Sequence, residues 1–159
     1  GYPPLWAREP GFASLVHIIL EQQVSIKAAA TMFQRLASHL GSVTPELVQK
    51  AGESELRQVG LTRQKARYCV ELANRVASGA LELLKLDTLD DAQGRSHLLD
   101  IPGLGPWTVD VYYMMALRRA NVWETWLWHP RYRTSNSWRP GQPEMNNLFL
   151  RNNGSRGEP

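Results

Sequence analysis

Leu98-Leu99-Asp100-Ile101-Pro102-Gly103-Leu104-Gly105-Pro106-Trp107-Thr108-Val109-Asp110-Val111 is the stretch whose reading decides the fold. It predicts the end of one helix, a tight Pro-Gly-x-Gly turn and the start of a second helix. Gly103 and Gly105 can both take positive φ and let another backbone come close with no Cβ in the way. Pro106 suits a first helical position, where its missing N–H costs nothing. A helix launched this way points its first amides outward, an arrangement that attracts a phosphate.

Outward from this turn, the helices are written in caps and apolar periods. Phe12, Leu15, Val16, Ile19 and Leu20 mark one helical face between Gly11 and Gln23. Ser25 caps a second helix that runs to Leu40 and stops at Gly41. Thr44-Pro45 opens a short helix that ends near Gly52, and Glu53 to Val59 forms another, stopped by Gly60. Thr62 caps a long helix from Arg63 to Ser78, with Ala66, Cys69, Val70, Ala73 and Val76 inward. Its Arg63, Lys65, Arg67 and Arg75 are expected on a solvated face, with a structural role left open for Lys65 and Arg67. Residues 81 to 89 bridge to a helix over Asp90 to Leu99. The exit helix, Pro106 to Leu117, is apolar nearly all round and is therefore expected to be buried. Nothing up to residue 120 alternates as a strand does, so the predicted class is all-α.

A chain of 159 residues fits one domain with a real core. No apolar run approaches the roughly 20 residues that span a bilayer, and Gly1-Tyr2-Pro3-Pro4 lacks a signal-peptide pattern. The expectation is an intracellular protein that does not engage a membrane. The net charge of +3 is a mild bias toward a polyanion. The single cysteine, Cys69, excludes an internal disulfide and any cysteine-cluster metal site, and reads as a half-buried helical residue.

Leu99-Asp100-Ile101-Pro102-Gly103-Leu104-Gly105-Pro106-Trp107-Thr108 resembles the helix-hairpin-helix of the base-excision DNA glycosylase superfamily (HhH-GPD). The Pro106-Trp107-Thr108 continuation resembles its alkylated-base branch, the relatives of bacterial 3-methyladenine DNA glycosylase II. Glu21-Gln22-Gln23-Val24-Ser25 and Gly60-Leu61-Thr62-Arg63-Gln64-Lys65-Ala66-Arg67 resemble two further pieces of that family, and together the likeness spans about residues 3 to 123.

The resemblance implies that the turn residues Gly103, Leu104, Gly105 and Thr108 hold a DNA phosphate. The carbonyls of Leu99, Ile101 and Leu104 would hold a monovalent cation, Na⁺ or K⁺, and no other cofactor is implied. Gln22 and Gln23 would face the minor groove, Gln23 filling the space a flipped base leaves. Trp107 would line the base pocket, where its ring can stack on a base made cationic by methylation. Endonuclease III and its relatives carry a Lys at that place, which attacks the sugar. Trp107 cannot form a Schiff base, so the implied chemistry is monofunctional hydrolysis. The implied partner is double-stranded DNA with a damaged base, bound by a monomer in the nucleoid of a bacterium or the nucleus of a eukaryote.

The family's decisive residue is an Asp beyond the hairpin's second helix, which stabilises positive charge developing on the sugar as the N-glycosidic bond breaks. In relatives it follows a Val-Trp-Pro-like turn and begins words such as Gly-Asp-Leu-Ala-Leu. Here Asn121-Val122-Trp123 fits and the match then ends; no Asp follows Asp110, and Glu124, the nearby carboxylate, comes too early. Asp110 and Asp100 read as scaffold of the hairpin. Residues 121 to 159 hold four of the six tryptophans and four of the ten prolines with no helical period, which predicts an irregular or disordered tail after a domain of residues 1–120. A reading-frame slip accounts for the departure. Glu124-Thr125-Trp126-Leu127-Trp128-His129 can be encoded GAG ACT TGG CTT TGG CAC, which read two bases later spells Asp-Leu-Ala-Leu-Ala. Two classes therefore stand open: an alkylated-base glycosylase whose chain, as written, has lost its catalytic Asp, and a non-catalytic helix-hairpin-helix DNA-binding protein.

Overall fold

The fold is built around its first helix. In the computed structural model, which describes residues 8–119, α1 (Phe12–Glu21) buries Phe12, Leu15, Val16, Ile18, Ile19 and Leu20 and packs against three other helices. A helix apolar on so much of its circumference has no stable place except a core. α2 (Ile26–Leu40) follows, capped as predicted by Ser25, whose Oγ accepts from the Ala28 amide at 3.1 Å. Gly41 ends it at φ 84°, a conformation open to glycine at little cost.

α3 (Pro45–Gln58) starts with Thr44 as cap and Pro45 at its first position. Gly52, at φ 72°, breaks it in the middle, which reconciles one continuous element with the two short helices its sequence predicts. α4 (Arg63–Ala77) is capped by Thr62 and lies along α3. A 3₁₀ turn at Leu83–Lys85 leads to α5 (Asp91–Leu99), and α6 (Pro106–Met115) packs on both α5 and α1. All regular structure among the described residues is helical.

Polar side chains tie this bundle at its ends. The Tyr112 hydroxyl of α6 accepts from the Gly11 amide at 3.0 Å, fixing the start of α1. Lys65 takes the structural of its two readings: it is buried and donates to the Leu20 carbonyl at 2.7 Å. An ammonium there satisfies an orphan carbonyl at the C-terminal end of α1, a gain a cationic donor makes larger. Burial holds its pKa below the ordinary lysine range. Cys69, one turn on, is fully buried rather than half-buried, and burial pushes its thiol up to about 12. The reason is shared: the α4 face inward of Thr62 packs on α1 rather than lying at the rim.

Candidate DNA-engaging site

The turn between α5 and α6 uses its two glycines differently. Gly103 sits at φ 89°, and a Cβ there would stand 2.2 Å from the ring of Tyr68 on α4. Only glycine lets the turn press on that ring. Gly105 takes φ −75° and ψ 172° as the residue before α6, and a Cβ built on it would meet no atom of the described residues within 4 Å. The positive φ predicted for it is absent because Pro106 follows, and a residue before proline is driven to extended backbone. So Gly103 is explained by its own protein, whereas Gly105 is backbone at a helix N-terminus that no described residue covers.

The turn is closed by the Leu104 amide donating to the Ile101 carbonyl at 3.0 Å, with Ile101 donating in turn to Leu98 at 3.1 Å. Ile101 and Leu104 are buried, so their backbones are fixed, while Leu99 is exposed. Of the three carbonyls the resemblance assigns to a cation, that of Ile101 is thus already an acceptor, with a second lone pair remaining.

α6 is buried from Thr108 through Tyr113, as its composition predicts. Trp107 breaks the pattern: its position at the helix start leaves it 39% exposed. A large indole kept at the surface of an otherwise buried helix is available to stack on a ligand. Asp110, on the inner side, forms an ion pair with Arg95 of α5. The Arg95 guanidinium also lies 5.7 Å from the centroid of the Tyr113 ring. The Tyr113 hydroxyl is buried without a hydrogen-bond partner among the described residues, and burial, with Asp91 nearby, pushes it up to about 12. Gly94 makes its room, since a Cβ there would fall 2.1 Å from that oxygen.

Across from the hairpin, the α1–α2 junction presents Gln23 at φ 59°, a left-handed conformation that L-residues rarely take, with the side chain exposed. Val24 and Ile26 beside it are exposed as well. Gln22 faces the other way: its Nε2 donates to the Gly103 carbonyl and to Thr108 Oγ1, both at 2.9 Å. Sequence reasoning places Gln22 with Gln23 toward the minor groove, but both amide hydrogens of Gln22 are spent on the hairpin, and Thr108, its acceptor, is only 2% exposed. The structure thus brings Gln22, Gly103 and Thr108 together and leaves Gln23, Gly105 and Trp107 at the surface. Before Gln22, Glu21 pairs with Arg8, and His17 stacks on Phe33 with centroids 4.6 Å apart. Burial, then Arg8, lowers the His17 pKa.

No group of three or more His, Cys, Asp and Glu side chains that could hold a metal occurs among the described residues. Glu124 and the predicted tail lie outside those residues.

Comparison with known proteins identifies the fold and the family. A structure of DNA-3-methyladenine glycosidase from Bacillus halodurans superposes with a TM-score of 0.66 at 32% identity, over 71% of this chain and 53% of that one. The Schizosaccharomyces pombe 3-methyladenine DNA glycosylase, solved in complex with abasic DNA, gives a TM-score of 0.67 at 25% identity, over 75% of this chain and 61% of that one. DNA-3-methyladenine glycosylase of Bacillus subtilis is 26% identical over 119 residues, covering 67% of this chain and 39% of its own length. The chain spans between about a fifth and about a half of the length of the curated relatives it matches. A sequence model of the HhH-GPD superfamily of base excision DNA repair proteins matches residues 16–143. The chain belongs to the HhH-GPD superfamily of base excision DNA repair proteins.

Proposed function

We propose that this chain is the DNA-engaging part of a monofunctional glycosylase for alkylated bases of the 3-methyladenine kind, acting as a monomer on duplex DNA, and that as written it binds damaged DNA without releasing the base. The observation that carries the reading is Trp107, exposed at the head of the buried α6 beside the bare backbone of Gly105. A phosphate held at that helix start would fix the duplex by position rather than by sequence. An extruded base would then lie within reach of an electron-rich ring, which favours a base that methylation has made cationic. The names of the relatives support the same substrate class, and the abasic DNA bound by the yeast glycosylase supports the partner.

A monovalent cation fits the turn by donor chemistry, because backbone carbonyls of Leu99, Ile101 and Leu104 are the hard oxygen ligands such ions take. It would neutralise charge next to a bound phosphate.

Release of the base requires a carboxylate to stabilise the cationic sugar, and no Asp follows Asp110. Asp110 itself is committed to Arg95. The frame slip supplies the missing residue. Trp123 and Glu124 must be encoded TGG GAR, which in the shifted frame necessarily reads Gly before the Asp, completing Gly-Asp-Leu-Ala-Leu. The coding DNA tests this directly: codons that cannot spell that word in the shifted frame overturn it.

The functional test is a base-release assay on duplex DNA containing 3-methyladenine, run beside binding to an abasic-site duplex. Binding without release is expected from the chain as written, and release is expected after the frame is restored. Release by the chain as written, abolished by Glu124→Gln, would assign catalysis to Glu124 instead. Binding without release from the restored chain too would favour the non-catalytic module.

A further inference from the structure

We propose that Gln22 is a positioning residue, a strut that holds the Gln23 loop in fixed register with the hairpin and hence with Trp107; the proposal rests on the DNA-engaging role given above to those two side chains. Its terminal nitrogen carries two hydrogens and the structure gives each an acceptor: the carbonyl of Gly103 at the top of the turn and the hydroxyl of Thr108 in the first turn of α6, both at 2.9 Å. These partners lie 81 and 86 residues along the chain, so one amide staples two junctions that the sequence keeps far apart. Thr108 is nearly sealed from solvent, which spares its bond the competition of water.

The neighbour of this strut needs holding. Gln23, at φ 59°, is in a conformation that costs a non-glycine residue about 1 kcal/mol and persists when the surroundings over-determine it. On one side the over-determination comes from Gln22; on the other, from Ser25, whose hydroxyl caps α2. Gln23 is therefore presented outward between two anchored residues. Trp107 directly precedes Thr108, so the residue that receives the strut also sets where the indole stands. A side chain meant to fill the gap left by a base, and a ring meant to meet that base, gain from a fixed separation.

Three variants of the full chain test the strut. Gln22→Glu keeps the shape but sets a carboxylate, which only accepts, against the Gly103 carbonyl, so that bond is lost, while the bond to Thr108 survives only if the hydroxyl turns to donate. Thr108→Val removes one acceptor, and Thr108→Ser restores it. Each is checked for the wild-type helical signal, then measured for its affinity ratio between abasic-site and intact duplex. The ratio is expected to fall by about ten-fold in Gln22→Glu, as the loss of one to two hydrogen bonds would give. It should fall less in Thr108→Val and recover in Thr108→Ser. An unchanged ratio in Gln22→Glu overturns the proposal. A readout free of DNA runs beside it: hydrogen exchange in the Gln22→Glu chain should rise at the Val24 and Leu104 amides, each bonded within its own turn in the parent, while α3 and α4 stay protected. No rise at either amide also overturns it. If the parent chain binds no DNA at all, the functional reading fails and the exchange result still decides the strut.

Discussion

The α1–α2 junction and the α5–α6 junction both reverse the chain between helices, and each places one residue in the left-handed region, yet they use opposite residue types. Gly103 takes φ 89° where only glycine fits, because the Tyr68 ring lies where a Cβ would be. Gln23 takes φ 59° where a glycine would be easier, and carries an exposed side chain nonetheless. The first choice is dictated by packing. The second runs against local preference, and a protein that keeps a strained, exposed amide in place of glycine is spending stability on something outside its own core.

That contrast can be broken by substitution. The largest effect is expected from Gly103→Ala, which must move the Tyr68 ring and strain the turn together. A loss of about 2–4 kcal/mol is expected in urea denaturation, and a loss below ~1 kcal/mol would show that the turn relaxes freely. Gly94→Ala should follow closely, at about 2–3 kcal/mol, because its Cβ would collide with the Tyr113 hydroxyl in a buried helix contact. Gln22→Ala removes two hydrogen bonds and leaves the Gly103 carbonyl and Thr108 hydroxyl without that donor, at a cost of about 1–2 kcal/mol in the same measurement. Gln23→Gly reverses the sign: relief of the left-handed strain should stabilise the chain by up to ~1 kcal/mol while weakening its preference for abasic-site DNA. The smallest stability change belongs to Gly105→Ala, within about 0.5 kcal/mol, since its Cβ would meet no atom of the described residues and its φ is ordinary. Its DNA affinity should drop all the same, and a drop in neither would remove the turn from the interface.

Much of this fold is legible in the sequence because its helix ends are written in local chemistry. Ser25, Thr44 and Thr62 cap where their hydroxyls can reach an amide three residues on, and Gly41 stops α2 through its own backbone freedom. The hairpin is legible for the same reason, down to Pro106 at the first position of α6. What local chemistry cannot show is which long-range partner a polar residue finds. Lys65 looks like one more cation on a solvated face, and its bond to the Leu20 carbonyl depends on how α4 meets α1. Gln22 and Gln23 are adjacent and identical, so nothing in the pair says that one turns inward to the hairpin and the other outward. Gly94 looks like a flaw in a helix until Tyr113 is seen against it. The end of the site is legible in a different sense: that no Asp follows Asp110 is read from the sequence alone.

The account stands on the claim that the two junctions form one DNA-facing surface, and the most direct test is the affinity of the full chain for an abasic-site duplex against the same duplex intact, followed across a salt series. The expected result is tighter binding to the abasic site at every salt concentration, with log affinity falling linearly with log salt on both duplexes. Equal affinity for the two duplexes, or no binding to either at low salt, would contradict it.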